Sequence, residues 1–216
     1  MAPSLRALAL GTLILITMAS CSTGQVNSVW SDTSRPPTPY RSLVLFGLTN
    51  SAKVRQAMED NFISALESRG VDTHSSYHLI QNSSLRYITR VRRAIRMSGA
   101  KGVVVSHLIA EETASSTPPP RLSVIPDHYP SLKDYFKRTY REVCAPDYYT
   151  GYRALRLESN LYDAESGRLV WSGRSRRLDP HSEETTIGEV IATLVSRMGA
   201  DGFLPASTKS GGQFAE

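Results

Sequence analysis

The run Val103-Val104-Val105-Ser106-His107-Leu108-Ile109 decides the fold. It is almost continuously apolar and rich in β-branched residues, with Gly102 before it and Glu111-Glu112 after it. A strand covered on only one face alternates polar with apolar side chains, whereas this run does not, so it reads as a strand in the interior of a sheet. The residues ahead of it read as a helix. Leu85, Ile88, Val91 and Ile95 recur at helical spacing, Ser83 or Ser84 can cap them, and Gly99 lies near the end. Arg86, Arg90, Arg92, Arg93 and Arg96 occupy the other face. That face is read as solvated, with long stems shielding apolar surface; contact with acidic headgroups, polysaccharide or a partner is the functional alternative.

Upstream, Leu43-Val44-Leu45-Phe46 is a second apolar run and ends at Gly47. Asn50 or Ser51 can cap a helix after it, whose stripe is Val54, Ala57, Met58, Phe62, Ala65 and Leu66, and which Gly70 ends. Residues 71–80 form a weaker strand, diluted by Asp72, Thr73, His74, Ser75 and Ser76, as a sheet edge tolerates.

Downstream, residues 113–151 contain Pro118, Pro119, Pro120, Pro126, Pro130 and Pro146 and are read as a long aromatic loop. Its Tyr135, Tyr140, Tyr148 and Tyr149 are candidate partner contacts, because tyrosines offer large, stiff, amphipathic area; the alternative is that the rings fold back over the sheet as a lid. Residues 152–162 alternate, with Leu155, Leu157 and Leu161 on one side and Arg156, Glu158, Asn160 and Tyr162 on the other, the pattern of a half-exposed strand. A turn at 163–167 leads to a hairpin partner containing Trp171. The final helix carries the stripe Ile187, Val190, Ile191, Leu194, Val195 and Met198. The order β-α-β-α-β-loop-β-β-α predicts an α/β (α+β) single domain, with a mixed sheet of about five strands packed by three helices.

The chain has 216 residues, with 25 basic and 20 acidic side chains, a charge balance too mild to argue for nucleic acid. No Cys, Asp or second His stands at a usual ligand offset from His107, so neither a metal nor any other cofactor is expected, and a packed, hydrogen-bonded histidine is. Acid–base chemistry, were there any, would have to draw on Glu158 or Asp163 beside His107.

The leader places the domain. Arg6 and the amino terminus are followed by a short apolar run over residues 7–17 and then by Met18-Ala19-Ser20-Cys21. A run of this length suits an export signal, since a membrane-spanning helix needs about 20 apolar residues. The stretch resembles the bacterial lipobox, in which the cysteine is acylated and becomes the first residue of the mature chain. That resemblance implies residues 1–20 as signal peptide and Cys21 as the site of lipid attachment, with several acyl chains of the palmitate kind holding the protein durably at a membrane. Ser22, where aspartate favours inner-membrane retention in enteric bacteria, implies the outer membrane, with the domain facing the periplasm. Residues 21–41, containing Arg35-Pro36-Pro37-Thr38-Pro39, are read as a lipidated tether, 42–204 as the domain and 205–216 as a disordered tail. A lipidated Cys21 leaves Cys144 without a disulfide partner in its own chain; a buried, inert thiol and an intermolecular bridge both fit, the latter giving an oligomer.

The lipobox, the strand before a helix at residues 43–46, the run 103–109 after Gly99-Ala100-Lys101-Gly102, and the hairpin before a terminal helix are together similar to a group of envelope lipoproteins with a small α/β domain. The group includes the amino-terminal domain of TolB, the penicillin-binding-protein activator LpoB, CsgG and PelC. The resemblance implies a lipid-anchored, non-enzymatic accessory or docking subunit of an envelope assembly, with the membrane and an envelope protein as partners. A cell-wall or surface-polymer hydrolase and a lipid or glycan binding module are the alternatives.

Overall fold

The computed structural model describes residues 26–111, 131–145, 148, 154–176, 178 and 184–206. The predicted signal, Cys21, Tyr149 and residues 207–216 lie outside them, as do residues 112–130 of the predicted loop.

A six-stranded mixed sheet lies between two helical layers. In chain order the elements are β1 (Val26–Ser31), β2 (Ser42–Leu48), α1 (Ala52–Glu67), β3 (Asp72–Ser75), α2 (Ile88–Ser98), β4 (Gly102–Glu111), α3 (Leu132–Val143), β5 (Ala154–Asp163), β6 (Leu169–Ser175) and α4 (Glu184–Ala200). Across the sheet the order is β1-β6-β5-β4-β2-β3. The apolar run 103–109 falls in β4, an interior strand parallel to β2 and antiparallel to β5. The diluted strand is β3, short and at the edge, parallel to β2. The α/β class holds, with one strand and one helix more than the sequence pattern predicts.

The added strand is β1, inside the stretch read as a tether. It pairs antiparallel with β6, and Trp30 packs on the core. The proline-rich residues that follow cross the far end of the sheet as a strap. The Asp32 amide donates to the Val170 carbonyl (3.0 Å) and Arg168 reaches the Asp32 carboxylate (3.0 Å). At the other end of the strap, the Tyr40 amide donates to the Phe203 carbonyl (2.8 Å).

The added helix is α3, inside the stretch read as an aromatic loop. Ser131 caps it: its Oγ accepts from the Asp134 amide (3.2 Å), satisfying one first-turn donor, and donates to the Asp134 carboxylate (2.6 Å). Leu132, Tyr135, Phe136, Thr139 and Val143 form its buried face.

The sheet has two cores. Leu43, Leu45, Val104, Leu161 and Trp171 pack under α1 and α4. Val44, Phe46, Val103, Val105 and Tyr162 pack under α2 and α3. The α1 stripe differs from its prediction at one place: Val54 is exposed and Arg55 is buried. Arg55 turns inward because Glu59, one turn on, is buried with it. The Glu59 carboxylate accepts from Arg55 Nε (2.9 Å), the Gly47 amide (3.0 Å), Ser76 Oγ (2.7 Å) and the Tyr77 amide (3.1 Å). Arg55 also donates to the Ile80 carbonyl (3.1 Å) and to Ser76 Oγ (2.6 Å), locking the β2–α1 turn to the segment after β3. Removing one partner of a buried pair strands the other charge, at a cost of about 3–5 kcal/mol. Glu59→Ala is therefore expected to lower unfolding free energy in urea by about that amount, while Val54→Ala stays within about 0.5 kcal/mol of wild type.

Candidate functional site

The arrangement with most chemical content is a polar row across the sheet. Register places His107 of β4 opposite Glu158 of β5, and Glu158 opposite Arg174 of β6. All three face the α2/α3 layer and are 6 %, 2 % and 5 % exposed, so their charges need partners within the protein. Strand alternation put Glu158, Asn160 and Tyr162 on a half-exposed face; the structure buries them, because α3 covers that side.

Tyr135 of α3 closes the row. Glu158 Oε1 accepts from Asn160 Nδ2 (2.8 Å) and from the Tyr135 hydroxyl (3.1 Å). Glu158 Oε2 accepts from Arg174 through Nε and Nη2. Four donors thus fill the carboxylate's acceptor sites. The Tyr135 oxygen is also 2.9 Å from His107 Nδ1. A phenol has one proton, and the carboxylate is the stronger acceptor, so Nδ1–H of a neutral imidazole donates to the tyrosine oxygen. The chain of donation runs from His107 through Tyr135 to Glu158.

The protonation states follow from these surroundings. Burial, together with the Arg174 charge, holds His107 below its ordinary 6.5, against the opposing pull of Glu158. Burial alone would raise Glu158; the charges of His107 and Arg174 and the hydrogen bonds from Asn160 and Arg174 outweigh it, and the carboxyl lies below its usual 4.5. Of the two charges, that of His107 is present only once its ring takes up a proton, and that of Arg174 is permanent. Burial drives the Tyr135 phenol well above its ordinary value.

The sequence-predicted residues divide clearly. His107 and Glu158 are brought together. Asp163 is not: it lies opposite Gly102, five positions along β4 from His107, and accepts from the Tyr40 hydroxyl (3.2 Å) and Ser166 Oγ (2.6 Å) in the hairpin turn. Tyr135, predicted as a partner contact, is fully buried, so its ring belongs to the core rather than to an exposed surface. Tyr140 and Tyr148 are half-buried against the same core, as the lid alternative expects. Cys144 follows α3, and burial pushes its thiol up to about 11. Arg174, Asn160 and the hydroxyl role of Tyr135 escaped the sequence reading. The spacing of Leu132, Tyr135, Phe136, Thr139 and Val143 behind a Ser131/Asp134 box was the signal that could have found the covering helix.

Two shallow depressions lie at the surface, one lined by Lys53, Gln56, Asp60 and Asn61 on α1, the other by Lys137, Arg138, Arg141 and Glu142 on α3. Among the described residues no group of three or more His, Cys, Asp or Glu could hold a metal ion, and no helix is long and apolar enough to cross a membrane.

No protein-family model matches the chain, and no curated protein matches its sequence. Among solved structures the chain is similar to the PelC dodecamer from Paraburkholderia phytofirmans. It is 15% identical to a point variant of that protein, covering 79% of this chain and 96% of that one at a TM-score of 0.42. Against a second crystal form of the PelC dodecamer the identity is 13%, covering 83% and 99% of the two chains at a TM-score of 0.40. Similarity this distant is a likeness in chain path and assigns no role to any residue.

The row makes stability depend on pH with a definite sign. For His107 the folded pKa is depressed, so the unfolded chain takes up the proton first; its contribution is complete above pH 6.5 and is lost as pH falls toward the folded value. The Glu158 contribution is present above 4.5 and is lost as pH falls through its lowered folded value. Thermal unfolding is therefore expected to shift to lower temperature in two stages on acidification, and His107→Gln is expected to remove the first. A flat profile between neutrality and 4.5 in the wild type contradicts the assignment.

Proposed function

We propose that the protein is exported, acylated at Cys21 and held at the outer membrane facing the periplasm, where it serves as a non-enzymatic docking subunit of an envelope assembly. The observation that carries this reading is the sealing of the His107–Glu158–Arg174 row. A carboxylate beside a histidine is what a polymer hydrolase would use, and this fold brings such a pair together. Yet the carboxylate is saturated by four donors, paired to a guanidinium and roofed by a fully buried tyrosine. A general acid or base must reach substrate within hydrogen-bond distance, and this one is spent on joining three strands to a helix.

Docking then falls to exposed surface. The outer side of α3 offers Lys133, Lys137, Arg138 and Arg141, with Tyr140 and Tyr148 half-buried toward the end of the segment. The buried face of α3 is core, so cutting out residues 113–151 would unfold the domain rather than test the contact; single exposed positions are the proper probes.

Labelled palmitate is expected to enter the wild-type chain and not Cys21→Ser. A photocrosslinker at Lys137 of the lipidated protein is expected to capture one discrete envelope protein, and Arg141→Glu to abolish that product while Glu158→Gln, where it stays folded, keeps it. Labelling without any discrete crosslink contradicts docking through α3; absence of label contradicts the anchor.

A further inference from the structure

The anchor and the fold together fix how the domain meets the bilayer. β1 begins at Val26, so only residues 22–25 separate Cys21 from the sheet. At about 3.3–3.6 Å per residue the five steps from Cys21 to Val26 reach at most about 18 Å. The prolines that the sequence offered as reach are committed to the strap at the other end of the sheet. A domain held this closely cannot keep all its surfaces away from the headgroups.

Topology says which surface is nearest. Val26 lies opposite Ser175, at the carboxyl end of β6, and Ala154 lies opposite Glu111, at the carboxyl end of β4. The parallel strand β2 ends there too, at Leu48, and runs directly into α1. The Asn82 side chain donates to the Thr49 and Asn50 carbonyls (3.3 and 3.2 Å), which brings the segment leading into α2 to the same end. That segment carries Arg86 and Tyr87. Tyr87 is 43 % exposed, and the guanidinium carbons of Arg86 and Arg90 lie 4.7 and 4.9 Å from its ring centroid. Val54, 42 % exposed, stands in the first turn of α1. Helix α2 contains no acidic residue.

Resting on the lipid-anchor reading, we propose that the domain stands end-on, with the Arg86–Tyr87–Arg90 cluster seated on anionic phospholipid headgroups as a second, electrostatic foot. An aromatic ring flanked by arginines suits the headgroup layer, where the ring meets both apolar and wet surroundings and the guanidinium groups pair with phosphate. Four strand spacings separate β1 from β2, about 19 Å, so lipid and cluster are two separated supports under one end of the sheet. The hairpin turn at residues 163–167 is then raised above the bilayer by the length of the strands.

The test uses the lipidated chain in a Cys144→Ser background, reconstituted into phosphatidylcholine vesicles with or without phosphatidylglycerol and a headgroup-attached quencher. One fluorophore is placed at Thr89→Cys, another at Glu165→Cys. Strong quenching at position 89 with none at 165, requiring phosphatidylglycerol and lost in Arg86→Glu/Arg90→Glu while flotation persists, is the expected result. Equal quenching at both positions, or quenching indifferent to phosphatidylglycerol, overturns the seating and leaves the anchor intact. Shielding of position 89 by added envelope extract rather than by anionic lipid overturns it in favour of a protein occupant. Failure of the chain to float with vesicles overturns the anchor and the seating together.

Discussion

The buried carboxylate of Glu158 is the constraint to which the rest of the fold answers. An ionised group taken out of water costs several kcal/mol unless its acceptor sites are filled and a counter-charge is close. Each requirement recruits a different element. Arg174 comes from β6 and spans the β5–β6 pair, His107 comes from β4, and Tyr135 ties α3 to β4 and β5 through its hydroxyl. The α2/α3 face therefore cannot be a loosely covered surface. The stretch between β4 and β5 has to supply a helix whose tyrosine reaches the row.

That dependence explains which parts of the chain were legible. β4 announced itself through continuous apolar character, and the stripes of α1, α2 and α4 follow helical period, because in each case one residue type on one face carries the information. α3 was hidden by the neighbouring prolines, although its capping box and stripe were present in the sequence. β1 has no comparable local signal. Val26–Ser31 is short, with apolar residues that do not alternate along it, and becomes a strand because β6 offers it an edge. The polar row was only half legible. The acid and the histidine could be nominated by residue type, but register across three strands is a tertiary fact, and the alternation of β5 pointed its polar residues toward solvent. The Arg55–Glu59 pair escaped for a related reason: two charges four residues apart on a helix usually mark a wet face, and here the turn after β2 and the segment after β3 close over them.

The same facts alter how the amino-terminal segment is understood. A proline-rich tether implies a domain swinging at a distance from the membrane. A strand followed by a strap, under the proposed anchor, would instead fasten the domain close to its lipid.

The row is a sealed structural device, with a neutral imidazole donating through Tyr135 to an ionised Glu158. Nitrogen-resolved NMR of the histidine-labelled protein reads this directly at His107. A neutral ring with the proton on Nδ1, persisting as pH is lowered past 6.5 while the fold remains intact, is the expected result. A ring already protonated at neutral pH, or one that titrates near 6.5 as an exposed histidine does, would contradict it.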